Sequence, residues 1–309
     1  MLKLSITTHK QSGVALVIVL WMLVLLTIIA VTYSKSTRTE TVLTAHFVQT
    51  AHARASAEAG IWLAVHELLK PDQEQRWKKD STMHKVNFGE GRISISIQDE
   101  SGKIDLNSTR SELLFSLLQS LDIPLDGTER LKLLQVILDW RDRDNLPRQF
   151  GAEDADYYRL GFDYGAKDGP FNSIDELLLV LGMNRDIYIQ MKPALTIHSL
   201  QPGIAPEVAP REVLLALPYI TPESADIYLA TRSQGELTST ALTGVDPRYF
   251  SRVRGNTFSI TSTGYSADSR YSIAAVVSVR RNTNPPFSVL SWAENSISLS
   301  GEEDTGKQY

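Results

Sequence analysis

The chain has no cysteine among its 309 residues. Disulfides, thiolate metal sites and cysteine nucleophiles are excluded together, while the redox compartment stays open. Positive charge is not in excess either. With 31 Lys and Arg against 36 Asp and Glu, the net charge is −5, which offers no basic surface for nucleic acid. Catalytic signatures are also missing. Neither a G-x-x-x-x-G-K-[ST] phosphate loop nor a G-x-G-x-x-G turn occurs, and no G-x-S-x-G nucleophile elbow is present. His66-Glu67 begins like H-E-x-x-H, but Lys70 stands where the second zinc-binding histidine must be. Two carboxylates brought together by folding could still form a hydrolase site; a deep pocket holding both without a metal would favour that reading, and a shallow surface would oppose it.

Two more absences organise the chain. From Val14 to Tyr33 no charge and no proline occurs, and proline stays absent until Pro71. Twenty helical residues rise about 30 Å, the thickness of a bilayer core. Three readings compete for residues 1–33. A secretory signal peptide has a shorter apolar region and a small-x-small cleavage site, which Thr32-Tyr33-Ser34-Lys35 does not supply. A signal anchor fits the length, though Lys35 and Arg38 nearly balance Lys3 and Lys10 and leave its orientation weakly signed. The third reading uses Lys10-Gln11-Ser12-Gly13-Val14. A short basic leader ending in glycine and joined to about twenty apolar residues resembles a type IV prepilin or pseudopilin, cut after the glycine. On that reading residues 1–13 are a leader, with Gly13 and Val14 at the cleavage site and Val14 N-methylated. Most pilin-like subunits carry glutamate at the fifth mature position; here that position is Ile18.

Beyond Tyr33 the pattern becomes amphipathic. Leu43, Phe47, Ala51, Ala55, Ala59 and Trp62 recur at steps of three and four, widened by Leu63, Val65, Leu68 and Leu69. The spacing predicts a spine helix over 14–70, about 85 Å long, with 14–33 in the membrane. The alternative is a membrane helix and a separate second helix with a kink near Thr32–Ser36. The alanines of Ala51–Ala64 predict close packing against a sheet or other helices.

Strands follow. Ile93, Ile95 and Ile97 alternate with polar residues after a glycine-containing turn, and Phe258–Tyr265 and Tyr271–Val279 flank a polar turn. A lone hairpin is marginal in water, so one sheet built from 71–98 and 256–285 is expected, covered on one face by the spine. Between them, residues 99–255 read as helical: Leu113–Leu121, Glu129–Trp140, Ile174–Leu181, Glu212–Leu217 and Ala225–Arg232. A faint repeat lies inside. Asn107–Leu114 resembles Glu207–Leu214, each preceded by a Gly and an Ile (Gly102, Ile104; Gly203, Ile204), which predicts two helical subdomains, about 99–198 and 199–255. Residues 286–309 carry glycine and acids with few apolar residues and are expected to form a disordered tail.

The order of parts, with Asp99-Glu-Ser-Gly-Lys-Ile-Asp-Leu-Asn107, Leu138-Asp-Trp-Arg-Asp142, Gly151-Ala-Glu-Asp-Ala-Asp-Tyr-Tyr158 and Ile174-Asp-Glu-Leu-Leu178, resembles the general secretion pathway protein K family, the K-type minor pseudopilins of type II secretion. The resemblance covers nearly the whole chain, and lack of the fifth-position glutamate is typical of that family. It implies an α+β pseudopilin fold with a large α-domain inserted between strands. It also implies a non-enzymatic subunit at the tip of the periplasmic pseudopilus, partnered by I-type and J-type pseudopilins and processed by prepilin peptidase at the inner membrane. A single-pass periplasmic scaffold or receptor is the alternative.

An acid-rich loop inside the insertion carries Asp139, Asp142, Asp144, Glu153, Asp154 and Asp156, interrupted by Arg141, Arg143, Pro147 and Arg148. Calcium takes six to eight oxygens from carboxylates, carbonyls and water, and a loop of this acid density can supply them. No EF-hand pattern occurs. The other reading pairs these acids with their own arginines, with Asp139 outside on the polar face of its helix. The family resemblance implies calcium in this insertion, with Glu153 and Asp154 leading the ligand set.

Overall fold

A computed structural model describes residues 13–72, 75–89, 91–235, 242, 244–251, 255–267 and 269–298. Leader residues 1–12 and tail residues 299–309 lie outside the described residues. The fold is α+β, a long helix laid on an antiparallel sheet with a helical domain inserted between two strands.

Helix α1 runs without interruption from Gly13 to Leu69, one helix where the alternative expected two. Its first half is long and apolar enough to cross a membrane, with a window of mean hydropathy 3.2 and no part of that window buried within the protein. Its second half packs on the sheet through Ala53, Ala57, Gly60, Ile61, Ala64, Val65 and Leu68. The expected face holds at its end, where Val65 and Leu68 are buried, and departs from expectation before it: Leu43, Phe47, Ala51 and Ala55 are exposed, and Phe47 is 75% accessible. Residue size decided the outcome. A Cβ on Gly60 would lie 2.1 Å from Ser262 Oγ, and one on Gly264 would lie 2.1 Å from the Ala53 carbonyl oxygen. Two backbones approach this closely only where side chains are absent or minimal, and the alanine stripe containing Ala53 and Ala57 provides that.

The sheet has five strands in the order β1 (Asp80–Phe88), β2 (Gly91–Asp99), β5 (Thr257–Ser266), β6 (Ser269–Val279) and β7 (Phe287–Ser298), all neighbours antiparallel. The numbers skip because β3 (Ile104–Asp105) and β4 (Leu195–Thr196) form a separate parallel pair. Ile93, Ile95 and Ile97 face α1, with Ile97 opposite Ile260 and Ile260 opposite Ala275. Two strands exceed the expected set. β1 precedes the Gly89 turn, and β7 occupies much of the expected tail. Phe287, Val289 and Trp292 are good strand formers, and the polar remainder suits an edge strand with a solvated face. β7 is stapled to α1: Trp62 stacks on Trp292 at 6.1 Å and meets Phe287 at 5.9 Å. Arg54 Nη2 lies 3.1 Å from Glu294. Hydrogen bonds from Tyr271, Trp292 and Arg54 hold the Glu294 carboxyl down at about 2.

The chain leaves the sheet after β2 and returns at β5, its hydrogen-bonded neighbour, so the insertion grows from the middle of the sheet. Its helices are α2 (Ser111–Ser120), α3 (Gly127–Arg141), α4 (Asp154–Arg159), α5 (Arg185–Met191), α6 (Arg211–Leu215) and α7 (Pro222–Ser233). The expected helix over Ile174–Leu181 is a 3₁₀ segment, Ile174–Leu179. The faint repeat has a structural counterpart. Ile104 pairs in parallel with Leu195, and Ile204 with Phe250. A Cβ on Gly102 would strike the Val208 carbonyl oxygen at 2.5 Å, and one on Gly203 that of Tyr249 at 2.6 Å. Each lobe thus opens on a close-packed glycine and closes on a parallel bridge, yet one continuous apolar core runs through both.

Candidate metal centre

Helix α3 delivers the acidic loop. It starts with a reciprocal cap: Glu129 N donates to Asp126 Oδ1 at 2.8 Å, and Asp126 N donates to Glu129 Oε2 at 2.9 Å. Its apolar residues Leu133, Leu134, Ile137 and Trp140 enter the insertion core. The last turn therefore has a fixed rotation, which turns Asp139 inward. Asp139 is fully buried, so its placement on the outer polar face does not hold. Asp142 caps the helix, and Arg141 ties this end to the preceding segment by donating to the Leu106 and Thr109 carbonyls.

Arginine pairing explains some of the six acids and not others. Arg148 Nη1 donates to both Asp139 and Asp142, and the Arg148 backbone N–H reaches Asp139 Oδ2 at 3.2 Å. Asp156 accepts from Arg159 and from the Glu153 backbone N–H at 3.1 Å, so it caps α4. Asp154 lies 3.4 Å from Asn145 Nδ2, and exposed Asp144 accepts from Leu146 N at 3.1 Å. Glu153 is different. It is 2% exposed, and neither carboxylate oxygen has a hydrogen-bond partner among the described residues. Asp142 Oδ1 is likewise without a partner there. Oxygens of Asp142, Asp144 and Glu153 lie within 4.8 Å of one another.

Uncompensated like charge has the expected electrostatic effect. Burial first, then Asp139, Asp168, Asp142 and Asp144, push the Glu153 carboxyl up to about 7. Asp168 is raised by burial and by Asp154, Asp142 and Asp144. Its Oδ1 is buried without a partner among the described residues, and its backbone is left-handed at φ +53°. Sequence reasoning passed over Asp168. The signal available was the Asp168-Gly169 turn pair, which lies outside the acid-dense stretch.

Two glycines make room for the cluster. A Cβ on Gly151 would lie 1.7 Å from Asp139 Oδ2, and one on Gly165 would lie 1.8 Å from Asp154 Oδ1. Beneath it, Trp140, Tyr157, Tyr164 and Phe171 pack with ring centroids 5.7–6.4 Å apart. The Tyr157 hydroxyl accepts from Leu181 N at 3.2 Å. The acids thus stand on a stiff apolar floor, and the donor set is oxygen only. Such a set suits a hard divalent cation with a high oxygen count.

Comparison with known proteins places this chain. Residues 95–199 match the family model described as type II secretion system protein K. The type II secretion system protein K of Klebsiella pneumoniae is 28% identical over 235 residues, covering 67% of this chain and 70% of that protein. Its Aeromonas hydrophila counterpart is 27% identical over 281 residues, covering 80% and 84%. A solved GspK–GspI–GspJ complex from enterotoxigenic Escherichia coli contains a chain of similar fold, with TM-score 0.57 and 21% identity, covering 83% of this chain and 99% of that one. The chain thus resembles type II secretion system protein K, a minor pseudopilin, in its inserted domain by family model, along most of its length by sequence, and in its fold by structure.

Proposed function

We propose that this protein is a non-catalytic minor pseudopilin that caps the tip of the periplasmic pseudopilus and helps initiate its assembly for export of folded proteins. The observation that carries this reading is the position of the insertion. A helical domain with its own core rises between two neighbouring strands, β2 and β5, of a helix-on-sheet subunit, too broad to accept another subunit above it. The partners are I-type and J-type pseudopilins, a reading supported by the solved relative's complex with GspI and GspJ. The segment Val14–Tyr33 anchors the precursor in the inner membrane, with the soluble part in the periplasm.

Prepilin peptidase cuts between Gly13 and Val14, and Val14 becomes the methylated N-terminus. Ile18 in place of the usual glutamate suits a subunit that needs no neighbour above to satisfy its terminus; a carboxylate there is costly in lipid. Calcium occupies the acidic centre, held by Glu153, Asp142 and Asp144 with Asp154 and Asp168 at its margin, while Asp139 and Asp156 are engaged in arginine pairing and helix capping. The ion supplies positive charge to both Glu153 oxygens and to Asp142 Oδ1, which have no hydrogen-bond partner among the described residues.

N-terminal mass spectrometry after co-expression with a prepilin peptidase tests the reading. A mature start at Val14 is expected. Retention of residues 1–13 would instead favour a single-pass membrane scaffold.

A further inference from the structure

At the far end of α1, three adjoining cavities share one side chain, Arg280. The first, about 390 Å³, lies between the α1 C-terminus and the β6–β7 turn; the second, about 200 Å³, faces the segment His198–Gln201; the third, about 460 Å³, runs along the start of β7. Volumes of this order accept a small ligand or a few residues of chain. The groove separates the sheet from the connection between the two lobes of the insertion.

Its charge is one-sided. Arg76, Lys79, Arg280 and Arg281 line the first cavity, and Glu100 is the single carboxylate lining any of the three among the described residues. Glu100 is already engaged by Lys103, Thr196 and Ser259. The protein as a whole is acidic, at −5, so this concentration of cations runs against its average. Part of it has a local explanation. Arg76 donates to the Lys70 and Pro71 carbonyls and Arg281 to the Leu68 carbonyl, which completes the end of α1. Arg280 has no such role. Its backbone closes the β6–β7 turn, with Arg280 N donating to the Pro286 carbonyl at 2.7 Å, while its guanidinium is exposed and makes no hydrogen bond or ion pair among the described residues. Apolar Leu68 and Phe258 line the first cavity beside the cations, and Leu290 lines the third.

We propose that this groove binds an acidic, partly apolar extended peptide segment of a partner protein, with Arg280 as the central carboxylate contact. Guanidinium suits this role because its fork matches a carboxylate in two hydrogen bonds. The elongated, mixed-polarity shape favours peptide over a small inorganic anion. Anchoring lipid headgroups are out of reach, since Leu69 lies about 50 Å along the helix beyond Tyr33.

Fluorescence anisotropy on the full chain in detergent tests this, using a labelled hexapeptide of glutamate, aspartate and leucine, with its glutamine and asparagine counterpart as control. The acidic peptide is expected to bind at least about tenfold tighter than the control, and to weaken as salt is raised. Arg280→Glu is expected to lose about tenfold or more, while Arg280→Lys retains part of the binding. Equal binding of both peptides, or an Arg280→Glu chain that folds and binds as the wild type does, overturns the proposal. Inorganic phosphate displacing the peptide at equal concentration would assign the groove to a small anion and overturn the peptide reading.

Discussion

Glu153 concentrates the chemistry of the metal centre in one side chain. Its folded value near 7 stands above the ordinary 4.5, so its contribution to stability is fully present below pH 4.5 and is lost as pH rises towards 7 and beyond. Metal-free protein should therefore melt at progressively lower temperature from pH 5 to pH 8. Calcium binds the ionised carboxylate, so its stabilising shift should grow over the same range. EGTA should lower the melting temperature at pH 8, and calcium should restore it. In Glu153→Gln, the metal-free protein should gain stability at pH 8 and lose most of the calcium shift. A Glu153→Gln chain with the full shift, or no shift in the wild type at saturating calcium, would remove the ion from this site. The acid-rich loop was legible in the sequence because carboxylates crowd between Asp139 and Asp156. Which acids remain unpaired was not, because Arg148 could have faced any of them. Folding turned it to Asp139 and Asp142 and left the Glu153 carboxylate without a partner among the described residues.

Among the elements, α1 and the sheet approach each other to backbone contact. Gly264 sits under Ala53 and Ala57 with room for a hydrogen and no more. Gly264→Val should force the helix off the sheet and cost at least about 3 kcal/mol, the upper part of the range for overpacking, read as a lower denaturation midpoint at unchanged slope. Little loss would mean that the helix can slide to accommodate the side chain. By contrast, Ala51→Val, on the exposed stripe, should change stability by less than about 0.5 kcal/mol in the isolated subunit. The pair separates the true packing face from the one that periodicity suggested. Periodicity counted Phe47, Ala51 and Ala55 as inward, whereas Ala53, Ala57 and Gly60, which carry little hydrophobic signal, are the residues that permit the closest approach. The sheet strands Ile93–Ile97, Phe258–Tyr265 and Tyr271–Val279 were legible because their alternation is regular. β7 was not, since an edge strand with one wet face resembles a polar tail in composition.

For the whole molecule, the bulk of the insertion predicts where the subunit sits. Immunogold labelling of assembled pseudopili should find it at one end only; labelling spaced evenly along the filament would end the capping role. This level was the most readable of the three, because the sequence of parts survives even where each part is imprecisely drawn. The unbroken course of α1 has a mechanical consequence. An arm of about 50 Å from Tyr33 to Leu69 turns a tilt of about 5° where the chain leaves the lipid into a displacement of about 4–5 Å at Leu69, a lever rather than a tether. Small reorientations where the chain leaves the lipid would arrive at the base of the cationic groove as movements larger than a hydrogen bond.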